Sequence, residues 1–179
     1  MYLKLMITQL LLLLGISAYS QVGYAIVTPN SQGVVHLYEK PISQNIVDSI
    51  INDSINEVYY CVSIIKFTRN RAFVSTFTDD ETLTMHRGWV DWKYLGIRLN
   101  NDTIFTRHKP SSKSKVWCVI YQPNWRDIYP VNHARNGWLY IMDKNRKITG
   151  WVAPKDQCAN PYTTDTFNFA VALLNESVP

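Results

Sequence analysis

The sequence of 179 residues is short of what most site chemistry needs. Its three cysteines, Cys61, Cys118 and Cys158, cannot all pair within one chain, which excludes a disulfide-dense scaffold. No Cys-x-x-Cys and no pair of histidines at i, i+4 occurs, so the usual zinc spacings are missing and neither a metal nor another cofactor is expected. Cys61 and Cys118 lie in strand-like runs, not at a helix start, and nothing directs His36, His86, His108 or His133 to either. No enzyme is expected unless a Cys–His or carboxylate pair meets across distant segments. Charged residues make up 18%, below the roughly 25% of an average domain, and a net charge of +4 is too mild to imply nucleic acid without a motif. No apolar run is long enough for a convincing membrane span.

Hydrophobic residues make up 46%, enough for a packed core. The first twenty residues read as a signal peptide. Lys4 forms a positive start, Leu10 to Ile16 an apolar core, and Ala18 and Ser20 the small residues before a cut at Gln21. The chain is therefore expected to be exported, periplasmic or extracellular, with no lipid anchor. Export permits a disulfide, for which Cys118 and Cys158 are the most plausible pair.

Eleven tyrosines and six tryptophans, with punctuating Gly and Pro, favour an all-β fold. Strand-like runs occur at 58–67, 72–77, 115–121, 126–132, 138–142 and 148–152. Asn136-Gly137 ahead of Trp138 to Met142 is a hairpin signal. Ile46, Val47, Ile50, Ile51 and Ile55 fit helical spacing, but their β-branching and the following Asn52-Asp53-Ser54 favour a strand ending near Ile51.

A weak duplication organises the chain. Val34 to Pro41 and Gly88-Trp89-Val90 are matched by Ile104 to Pro110 and Gly150-Trp151-Val152, the Lys-Pro pairs 69 residues apart and the Gly-Trp-Val triplets 62. Between these landmarks, Arg69 to Val74 answers Arg135 to Tyr140. The expected organisation is a signal peptide at 1–20, a first unit at 21–99, a second at 100–163 and a tail at 164–179 whose apolar stretch packs on a barrel. Trp89 and Trp151, at matching positions, are expected to share a core role.

These landmarks resemble the bacterial SH3 (SH3b) domain, most closely in the second unit through Arg107-His108-Lys109-Pro110 and Gly150-Trp151-Val152. In the first unit Tyr38 stands where that family has Arg, and Gly88-Trp89-Val90 is the part cleanly kept. The resemblance implies two tandem SH3-like small β-barrels. Such domains are often cell-wall-targeting or peptide-binding modules.

The expected role is recognition of peptidoglycan, an envelope glycan or a peptide. The alternative is a structural accessory protein that docks on a protein partner. Trp92 and Trp125 lie in polar, loop-like settings where exposed rings would stack on a sugar or clamp a peptide; packing against the other unit is the competing outcome. Residues 21–100 carry seven Lys+Arg against eight Asp+Glu, whereas 101–179 carry ten against six. Arg107, Lys109, Lys113 and Lys115 gather four positives in one loop, a rim for carboxylates or phosphates. Asp79-Asp80-Glu81 reads as a solvated turn. Asp48-Ser49-Ile50, Asp53-Ser54-Ile55 and Asp102-Thr103-Ile104 resemble O-glycosylation acceptors of some Gram-negative exported proteins, which points to a Gram-negative envelope.

Overall fold

A computed structural model describes residues 22–28, 33–52, 60–76, 85–124 and 127–158. Trp125, the acidic triplet, residues 1–20 and the C-terminal tail lie outside the described residues. The chain is all-β. The first half runs β1 (Gly23–Val27), β2 (Val34–Tyr38), β3 (Ile46–Ile51), β4 (Cys61–Phe67), β5 (Arg71–Thr76), β6 (Arg87–Asp91), a 3-10 turn (Trp92–Tyr94) and β7 (Leu95–Leu99). The second runs β8 (Thr103–Arg107), β9 (Val116–Tyr121), β10 (Tyr129–Arg135), β11 (Trp138–Asp143), β12 (Ile148–Val152), a 3-10 turn (Pro154–Asp156) and the short β13 (Gln157–Cys158). No helix among the described residues is long and apolar enough to cross a membrane.

Local chemistry explains most of these elements. Asn136 and Gly137 take φ of 49° and 77°, the two left-handed positions of a tight hairpin turn between β10 and β11. Asp143 ends β11 by accepting hydrogen bonds from the backbone N–H groups of Asn145 and Arg146 at 3.0 and 3.1 Å. β3 ends at Ile51, and only Ile50 of its apolar residues is buried. Alternation along β8 sends Ile104 and Thr106 inward and leaves Phe105 outside.

The two halves repeat their details. β2 and β8 have the same alternation of burial, and so do β3 and β9. The β2–β3 register slips between Leu37 and Tyr38, and the β8–β9 register slips between Thr106 and Arg107. A second bulge recurs on β4 between Ile64 and Lys66 and on β10 between Val131 and His133. Trp89 packs edge-on to Phe73 with ring centres 5.5 Å apart, and Trp151 packs on Tyr140 at 5.4 Å.

The strands form one continuous antiparallel sheet, in the order β3-β2-β6-β5-β4-β1-β7-β10-β11-β12-β8-β9, with β13 beside β7. The pairings do not close two separate barrels. The reason lies in β7. It pairs with β1 through Ile26↔Gly96 and Val27↔Leu95, as β13 pairs with β7 through Cys158↔Arg98 and Gln157↔Leu99. It also pairs with β10 through Tyr129↔Ile97 and Pro130↔Gly96, as β1 pairs with β4. One strand thus ends the first half and begins the second. Units of roughly 60–75 residues have little core of their own. Sharing a strand merges their interiors, and one apolar cluster runs from Ala25 and Leu37 through Leu95 to Leu139 and Val152.

Cys118 and Cys158, the pair that a single bridge would join, are not bonded; none of the three cysteines is in a disulfide. Their strands explain this. Cys118 faces Thr106 in the β8–β9 hairpin, whereas Cys158 is held beside Arg98 on β7.

Candidate functional site

The loop 108–115, between β8 and β9, is the centre of the site. Its shape is set by its own short polar side chains. Ser114 Oγ accepts from Lys109 N at 3.0 Å, and Ser111 Oγ accepts from Lys113 N at 3.3 Å. His108 N donates to the Lys115 carbonyl at 3.1 Å, closing the base of the loop. Arg107 Nη1 donates to the Ser114 carbonyl at 2.7 Å and ties the loop to β8.

A hollow lies on each side of this loop. The larger, about 600 Å³, is walled by Phe105 and Arg107 of β8, Ser112 of the loop, Trp138 of β11 and the turn residues Pro154 and Lys155. It runs along the outer face of β8 from Thr103 to Arg107, a span of roughly 13 Å at about 3.3 Å per residue. Its walls are mainly apolar and its far end is cationic. At the other end Asp156 accepts a hydrogen bond from Asn101 Nδ2 at 2.7 Å. The smaller hollow, about 460 Å³ and open to solvent, is bordered by His108, Ser111 and the three exposed lysines Lys109, Lys113 and Lys115. The His108 ring lies 4.1 Å from the half-exposed Trp117 ring.

The four cations expected to act together therefore divide. Lys109, Lys113 and Lys115 share the outer hollow, and Arg107 faces the cleft. Thr103 of the tripeptide Asp102-Thr103-Ile104 also lines the cleft. In Asp48-Ser49-Ile50, Ile50 is buried and Ser49 Oγ is 3.0 Å from His36 Nδ1.

Trp92 is corrected: it is not an exposed contact residue. Only 5% of it is exposed, and its Nε1 donates to the Thr68 carbonyl at 3.1 Å. The 3-10 turn leaves its neighbours Asp91 and Lys93 at or near the surface and directs the indole inward. There it lies near Phe67 of the first half, at 6.2 Å between ring centres, and stacks with His133 of the second at 6.4 Å and 23°. His133 also meets Phe67 at 4.5 Å and Trp151 at 5.6 Å. These four rings pack the junction between the halves.

Phe105, Trp138 and Pro154 are the site residues that sequence reasoning missed. One signal was legible: Phe105 alternates with Ile104 and Thr106, so a strand that buries those two must expose the phenylalanine. Nothing local places Trp138 or Pro154 opposite it.

Among the described residues, no cluster of three or more His, Cys, Asp or Glu is positioned to hold a metal ion. Burial, with a smaller contribution from Cys158, pushes the Cys61 thiol up to about 11. That is the reverse of the activation a nucleophilic cysteine needs. Compared with protein-family models and with curated proteins, the chain matches none.

Proposed function

We propose that this chain is an exported, non-catalytic binding module of the bacterial cell envelope, built from two SH3-like units. In this reading the second unit recognises peptidoglycan, an envelope glycan or a peptide. The observation that carries it is the pairing, across one loop tied by its own hydrogen bonds, of an aromatic-walled cleft with a three-lysine hollow. A cleft of about 600 Å³ suits a small or extended ligand. Phe105, Trp138 and Pro154 offer apolar surface to a sugar face or side chain, while Arg107 and the lysines attract an acid group. The SH3-like reading is supported by the repeated element order, with a 3-10 turn after each Gly-Trp-Val strand and before a last short strand. The raised Cys61 thiol is consistent with this reading only in that Cys61 is not poised as a thiolate nucleophile.

A second reading has its own observation. β3 is an end of the strand order and exposes Ile46, Val47 and Ile51, with Ile42 90% exposed nearby. An apolar edge strand suits a structural accessory protein that docks on a protein assembly.

Retention of residues 21–179 on purified peptidoglycan, at low and at physiological salt, separates the two. Salt-sensitive retention that is lost in Trp138→Ala supports the cleft. No retention at either salt overturns wall binding and favours the structural reading.

A further inference from the structure

The two halves use one pair of positions in opposite ways. Tyr38 and Arg107 match, because each faces the Trp of its Gly-Trp-Val triplet. Arg71 and Trp138 match, because each opens the strand after a hairpin turn, one residue before the equivalent Ala72 and Leu139. Each half therefore places one aromatic and one arginine here, with their strands exchanged. In the second half Arg107 is drawn to the Ser114 carbonyl, and the cleft beside Trp138 stays open.

In the first half Arg71 folds into the corresponding space and is only 6% exposed. Its guanidinium carbon lies 3.6 Å from the centre of the Tyr38 ring. Nε donates to Asp91 Oδ1 at 2.7 Å. Nη1 donates to the carbonyl of Ser43 at 2.5 Å and to that of Lys40 at 3.3 Å. Lys40 and Ser43 belong to the β2–β3 loop, the counterpart of the loop at the open cleft. An aromatic face, a carboxylate and two carbonyls suit a flat, multi-donor cation, and an ammonium has neither the plane nor the spread of donors to meet them all.

We propose that the first half contains a guanidinium-binding site whose occupant is the chain's own Arg71, so that the duplication leaves one open cleft and one closed from within. The site takes the guanidinium class of cation, and an arginine from a partner enters only where Arg71 leaves. This inference is independent of what the second cleft binds.

The test is chemical rescue of Arg71→Ala. The full chain and the variant are melted in increasing ethylguanidinium chloride, with ethylammonium chloride at matched concentration as the control. Ethylguanidinium is expected to raise the variant's midpoint saturably, by about 3–5 °C over ethylammonium at tenfold excess over its Kd, and to give the parent no such rise. Equal responses of the variant to the two cations, or the same saturable rise in the parent, overturn the proposal. A measurement on the unmodified chain stands if the variant does not fold. The Arg71 Nε–H is expected to exchange with water at least about tenfold more slowly than that of exposed Arg69. Exchange as fast as at Arg69 overturns the proposal as well.

Discussion

Gly150 lies directly beneath Thr106. A Cβ on Gly150 would stand 2.7 Å from Thr106 Oγ1 and 3.1 Å from the Arg107 carbonyl, and its φ of +123° is one that L side chains rarely adopt. The matching residue Gly88 has the same neighbourhood, since a Cβ there would stand 2.8 Å from Leu37 Cβ. In both halves the glycine of Gly-Trp-Val is the place where a neighbouring strand, β2 over β6 and β8 over β12, passes closely over the strand before the 3-10 turn. Thr106 is fixed above Gly150 by donating to the Thr149 carbonyl at 2.7 Å and accepting from Cys118 N at 3.1 Å.

Gly150→Ala is therefore expected to destabilise the protein by about 2–4 kcal/mol, combining overpacking with backbone strain. Gly88→Ala, which meets the clash without the positive φ, should lose less, about 1–3 kcal/mol. Urea unfolding midpoints of the two variants check this order; a neutral Gly150→Ala would mean the strands do not cross so closely.

Trp92→Ala is expected to act on stability. Removing a buried indole from the junction should lower stability by about 3–5 kcal/mol. Chemical denaturation measures this, and a variant as stable as the parent would return Trp92 to the surface.

Lys113→Glu with Lys115→Glu should reverse the sign of the outer hollow while leaving the core untouched, so the melting midpoint should change little. If the hollow attracts acid groups, the double variant should lose most retention on peptidoglycan at low salt and show a flatter salt dependence than the parent. Unchanged retention would remove the lysines from the binding surface.

The raised Cys61 thiol makes stability depend on alkaline pH. Because the fold favours the protonated thiol, this contribution is complete below the ordinary thiol value of about 9 and is lost as pH rises through about 11. Between pH 9 and 11 the parent should lose about 1–2 kcal/mol more than Cys61→Ala, read from urea midpoints across the range. Burial also raises the Tyr129 phenol, with nearby Asp127 adding to it, but that loss is common to both proteins and cancels. Parallel pH profiles would show that Cys61 is not the group responsible.

No disulfide holds this fold: Cys61, Cys118 and Cys158 are all outside any bridge. Alkylation of the unfolded, unreduced chain is therefore expected to modify all three cysteines. Modification of only one, seen by intact mass, would show a bridge.

By itself the sequence determined what depends on neighbours within a few residues. A strand-like run after a polar tip marked β12 at Ile148–Val152, β-branching carried β3 to Ile51, and Asn136-Gly137 set the hairpin turn, because strand and turn preferences are local. The repeated Gly-Trp-Val triplets were legible for the same reason, and so was the cluster of cations from Arg107 to Lys115. Tertiary structure decided the rest. Trp92, between two charged neighbours, reads as a surface residue until the 3-10 turn directs it into the junction with Phe67 and His133. β7 reads as the end of one unit, and only its two paired edges reveal that it also begins the next. Arg71 and Trp138 occupy the same place in the two halves, and the open or closed state there depends on Asp91, Ser43 and Ser114, partners reached from other strands and loops. Which side chain fills a space is settled by what stands across from it, and local pattern does not carry that information.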